Sequence, residues 1–192
     1  MNNDSSNSQM NGTSTISEAQ TDMCKGYANG SIGIIISGVM WLTAAIVSFQ
    51  FSGKQAVWTL LIGGVFIYPL SVLVGKAMGL RGTHTKGNPF GSLAMEGTIF
   101  MLMCLPLAFG LSLQHTEWFF QAMLLIIGGR YLTFTAIYGK KFYLVLGSVL
   151  GVAAYLLFSC KVQSFGSAIT GALIEITFGI FMLITFRKTF NK

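Results

Sequence analysis

Three ionisable residues, Glu96, Arg130 and Glu175, stand inside long apolar stretches of a chain that has only 6 Asp and Glu in 192 residues. A carboxylate can carry a proton or hold a cation. A guanidinium can bind an anion or bridge two carboxylates through its forked donors. A charge near mid-bilayer costs at least about 2.5–3.5 kcal/mol on insertion scales, so such residues are usually paired or functional. With a rise of about 1.5 Å per residue, Glu96 lies one turn inside the third apolar segment. Arg130 lies about two-thirds of the way through the fourth, and Glu175 near the middle of the sixth. The depth of Arg130 falls between those of the two carboxylates, so it is expected to bridge both, with Thr133 one turn along its helix. This Glu96–Arg130–Glu175 core with Thr133 is the candidate binding or ion-coupling site.

The elements that must position these residues follow from composition. Hydrophobic residues make up 53% of the chain and charged residues 9%, against roughly a quarter charged in soluble domains, which excludes a water-soluble enzyme. Three cysteines are too few, and odd in number, for a disulfide scaffold. Six apolar segments, 31–51, 56–78, 92–113, 118–138, 142–160 and 164–186, approach the ~20 residues that cross hydrocarbon as a helix. None alternates with period two, which excludes a transmembrane barrel. The fold class is therefore an all-α membrane protein with six transmembrane helices. Residues 1–30 are polar and lack an apolar run, so they are expected to form a mobile cytoplasmic tail; residues 187–192 form a short basic one.

Lys and Arg set the orientation. The side carrying both termini collects Lys25, Lys76, Arg81, Lys86, Lys140, Lys141, Arg187, Lys188 and Lys192, against Lys54 and Lys161 opposite. Nine against two puts both termini in the cytoplasm and accounts for the net charge of +6 without nucleic acid.

The halves of the chain also align. Ile36–Thr43 matches Ile126–Thr133 at an offset of 90, Leu60–Phe66 matches Leu144–Leu150, and Glu96-Gly97-Thr98 matches Glu175-Ile176-Thr177. Three helices per unit would make this a 3+3 inverted repeat, an arrangement that places sites near the midplane. In the sixth segment Ser167, Gly171, Glu175 and Gly179 fall four apart, a stripe of small residues that permits close helix approach. Gly147 and Gly151, and Gly128 beside Gly129, suggest similar faces, and such faces also leave room for a homo-oligomer.

Several chemistries lack their residues. The basic loop Gly79–Gly91 has no Gly-Lys-Ser/Thr ending for phosphate. His115 has Glu117 nearby but no third metal ligand, and His84 reads as a solvated loop residue. There is no serine elbow or zinc-protease helix. No enzymatic activity, cofactor or metal is expected. Asn88, with Pro89 behind it, should cap the third membrane helix.

The stretches Ile67–Ser71, Gly87–Glu96, Glu117–Phe120 and Ile127–Tyr131 resemble an uncharacterised bacterial membrane-protein family known only as a domain of unknown function. The resemblance covers about residues 31–186. It implies a bacterial inner-membrane location and transfers no substrate. Read from its residues, the chain is a small transporter- or channel-like protein of the lipid bilayer acting on a small solute or ion. The alternative is a non-transporting structural or accessory protein whose buried charges only fix helix packing.

Overall fold

The computed structural model describes the backbone of residues 4–190 and the side chains of residues 15–189. Seven helices follow in order: α1 (Asp4–Tyr27), α2 (Ser31–Gln50), α3 (Gly53–Ala77), α4 (Pro89–Ser112), α5 (Thr116–Tyr138), α6 (Phe142–Ser159) and α7 (Ser164–Phe190). A 3₁₀ turn, Ala28–Gly30, joins α1 to α2. Six helical stretches are long and apolar enough to cross a membrane, with α2 supplying the apolar part of the first. The start of α2 and the end of α7 share one end of the bundle, called here the terminal end.

Local chemistry sets the helix boundaries. Ser52 caps α3 by accepting from the Gln55 backbone N–H at 3.3 Å. Asn88 caps α4 by accepting from the Phe90 N–H at 3.0 Å, with Pro89 in the first turn where its missing N–H costs nothing. Gly139, at φ 62°, ends α5 in the left-handed conformation.

The mobile tail expected over residues 1–30 is corrected by α1. Residues 1–3 and the side chains of residues 4–14 lie outside the described part. From Thr15 onward the segment is a helix that buries Met23 and Cys24 and leads into a turn that buries Ala28. Its polar residues, moreover, find partners on other elements. Composition predicted disorder because it counts apolar residues, whereas the order here comes largely from long-range hydrogen bonds.

Small residues bring the membrane helices together. α2 and α7 run antiparallel along a close seam: a Cβ at Gly38 would lie 3.0 Å from the Ile176 backbone nitrogen, and one at Gly179 would lie 3.0 Å from that of Ile35. The stripe Ser167, Gly171, Glu175, Gly179 is buried along its whole length. α5 and α6 meet in the same way at Gly128 and Gly147. Gly129, beside it, has open space instead. α2 packs chiefly on α3 and α7, and α5 on α4 and α6. α4 is the most peripheral of these helices. It meets α3 sparsely, with the Trp58 and Phe109 rings 5.4 Å apart away from the terminal end.

Candidate functional site

Glu175 is 0% exposed, the only acidic side chain among the described residues to be buried so completely. α7 carries it on the small-residue stripe, and Gly38 of α2 lets the two backbones approach around it. Its Oε1 accepts a hydrogen bond from the Tyr131 hydroxyl of α5 at 2.9 Å. The Ser37 hydroxyl of α2, also buried, interacts with both Tyr131 and Glu175. The other oxygen, Oε2, is buried with no hydrogen-bond partner. The acid site is thus a triad from three helices, α2, α5 and α7, with one acceptor unused.

Arg130 precedes Tyr131 on α5 but occupies a different interface. Consecutive helical residues point about 100° apart, so Tyr131 faces α7 while Arg130 faces α4. Its Nη2 donates to Thr98 Oγ1 at 2.9 Å and its Nη1 to Met101 Sδ at 3.7 Å. Its Cζ lies 5.2 Å from the centroid of the Phe134 ring. Arg130 Nε is buried without a partner.

The expected double bridge is therefore corrected. Arg81–Asp22 and His115–Glu117 form ion pairs within 4.0 Å, whereas Arg130 forms one with neither Glu96 nor Glu175. Glu96 is exposed on α4. It stands two residues before Thr98, about 200° around the helix, so it faces away from the interface where Thr98 and Met101 meet Arg130. Thr133 is exposed as well, and its hydroxyl donates to the Arg130 carbonyl at 2.7 Å, a contact within its own helix. Of the four predicted residues, Glu175 lies in the core and Arg130 in the neighbouring α4–α5 interface; Thr133 is exposed at that interface, its hydroxyl 3.6 Å from where a Cβ on Gly97 would lie, and Glu96 lies outside both. Tyr131, Ser37, Thr98 and Phe134 were missed. Tyr131 carried a signal, as a polar aromatic adjacent to Arg130 and two residues beyond the glycine pair.

A second polar network occupies the terminal end, outside the apolar spans. Asp22 of α1 accepts from Arg81 Nη2 at 2.6 Å, the Thr85 backbone N–H at 2.8 Å, the Thr85 hydroxyl at 2.9 Å and Asn88 Nδ2 at 3.0 Å. Burial alone would raise the Asp22 carboxyl, but these donors outweigh it and hold the group well below the usual carboxylate range. His84 is also corrected: it is half-buried, with Nδ1 3.0 Å from the Tyr27 hydroxyl.

A bundle of six apolar helices around a fully buried carboxyl triad defines a multi-pass membrane protein with a polar core. Its Arg130 site lies one residue away along α5. The chain belongs to DUF7010, a family of unknown function, whose family model matches residues 16–185. That match begins inside α1, earlier than the resemblance read from the motifs. No curated protein and no solved structure matches the chain.

Proposed function

We propose that this protein is a small transporter- or channel-like protein in which Glu175 carries a proton or cation and Arg130 holds an anionic group. The observation that carries the reading is Glu175 itself, completely buried in mid-helix, with Oε2 unpartnered and no cation within 4.0 Å among the described residues. A carboxyl in such a place is expensive, and it stands next to hydroxyls that can hand on or receive a proton. Arg130 in turn has a hydroxyl, a thioether and a ring as neighbours where an acid would be the strongest partner.

The excess of Lys and Arg at the terminal end supports cytoplasmic termini, and the family resemblance supports a bacterial inner membrane. The neighbour scheme, α2 with α3 and α7 against α5 with α6 and α4, is compatible with a 3+3 inverted repeat. The aligned carboxylates Glu96 and Glu175 nonetheless occupy unlike environments.

The second reading, a static lock, draws on the tight α2–α7 seam around Gly38 and Gly179. Proton flux separates the two. Liposomes loaded with a pH-sensitive dye and polarised by a potassium gradient with valinomycin should acidify faster with the wild-type protein than without it. Glu175→Gln should return the rate to the protein-free level while helix content is retained. Unchanged flux in Glu175→Gln would overturn the transport role of Glu175.

A further inference from the structure

The function proposed above makes no use of α1, yet α1 is tied to the rest of the molecule at three places. Its Asp22 grips the α3–α4 connection through Arg81 and Thr85, and the Gly82 N–H donates to the Gly26 carbonyl at 3.1 Å. A Cβ at Gly26 would lie 2.6 Å from the Thr83 carbonyl oxygen, so helix and loop are in backbone contact. Gln20 Nε2 donates to the Ala136 carbonyl at 2.7 Å and Cys24 Sγ to that of Tyr138 at 3.4 Å, which docks α1 on the end of α5. Asn88 joins α1 to α4: its Nδ2 reaches Asp22 and the Ala19 carbonyl, at 2.9 Å, while its Oδ1 caps α4.

The turn that follows α1 borders buried polar structure at the terminal end. The Tyr143 hydroxyl donates to the Asn29 carbonyl at 2.6 Å. Asn29 Oδ1 is buried without a partner. A cavity of about 30 Å³ is lined by Asn29, Lys140, Thr185 and Thr189 among others. The chain enters α2 through Ala28, Asn29 and Gly30 at φ 49°, 56° and 76°. Two non-glycine residues in the left-handed region make this a strained hinge rather than a continuous helix.

We propose that α1 is a lid over the terminal end of the bundle, hinged at Ala28–Gly30 and latched by Asp22 on the Arg81–Thr85–Asn88 side chains. Asp22 is the node of the polar closure, which the Gln20 and Cys24 contacts on α5 and the buried Met23 complete; none of these is a contact between membrane helices, so α1 opens as a local unit without unfolding the bundle. Because Asn88 serves both the latch and the α4 cap, opening also loosens the start of the least-packed membrane helix.

Cys24 reports the lid directly, since it lies on the packed face of α1, 4% exposed, against the end of α5. In the full-length protein with Cys104→Ser and Cys160→Ser, in detergent micelles, maleimide labelling of Cys24 should be slow. Asp22→Ala should speed it at least tenfold while the thermal unfolding of the bundle helices stays cooperative. Thr85→Val, which removes one hydroxyl, should give a smaller increase and keeps the test decisive if Asp22→Ala folds poorly. A Cys24 rate unchanged in both variants overturns the lid, and so does a rise accompanied by loss of the cooperative transition. The readout requires no flux, so its failure is separable from failure of the transport reading.

Discussion

Arg130 and Tyr131 are adjacent in sequence, and one 100° step on α5 sends them to different interfaces. The small-residue stripe of α7 was legible from spacing, and Glu175, which stands on it, is buried in the core. Azimuth elsewhere was not legible. It depends on which face each helix turns to its neighbours, and α4 carries apolar residues all round with no polar side to orient it. Glu96 and Arg130 were matched in depth and mismatched in direction. Substitutions should sort accordingly. Glu96→Gln should leave the bundle at least as stable as wild type, since it removes an outward-facing charge from a membrane-spanning helix and no packing contact. Tyr131→Phe, which removes the hydroxyl that donates to Glu175 Oε1, should cost about 1–3 kcal/mol because it leaves a buried acceptor unsatisfied. Thermal unfolding in micelles reads both, and equal effects would contradict the assignment of one residue to the surface and the other to the core.

At the scale of elements, the membrane helices and the small-residue seams could be read from spacing because burial in such a bundle follows helical periodicity. The α4 cap at Asn88 was also legible, since Asn-Pro preceding an apolar run has a mechanism. α1 was not, because its order depends on partners some sixty residues away on the α3–α4 connection, where Arg81, Thr85 and Asn88 stand.

Two predictions belong here. Gly38→Ala should destabilise by about 1–3 kcal/mol through overpacking, since its Cβ would lie 2.6 Å from Ile176 Cγ1 and 3.0 Å from backbone. Gly64→Ala, with nothing within 4 Å, should be neutral or slightly stabilising. Thermal unfolding compares the pair. The Asp22 latch has a defined pH signature. Its carboxyl is depressed in the folded state, so its contribution is fully present above the ordinary value of 3.8 and is lost as pH falls below it. Asp22→Asn should therefore be less stable than wild type by about 2 kcal/mol, with a constant difference from pH 5 to 8 that narrows only below pH 4. A difference varying across pH 5–8 would show that another group controls the latch.

As a whole molecule, the protein presents apolar helices outward and keeps inside a carboxyl, Glu175, that has hydroxyl neighbours but no ion-pair partner within 4.0 Å among the described residues. The six-helix architecture was legible because a bilayer imposes length and apolarity on every crossing. The working arrangement of the polar groups was not, because tertiary packing divided one predicted cluster into an acid site and a separate cation site. The central claim is that Glu175 is a working group rather than a packing feature, and Glu96 supplies its internal control. Potential-driven proton flux should be measured in liposomes containing wild type, Glu96→Gln or Glu175→Gln at matched protein content. Glu96→Gln should match wild type and Glu175→Gln should fall to the protein-free rate; equal flux in all three would contradict the account.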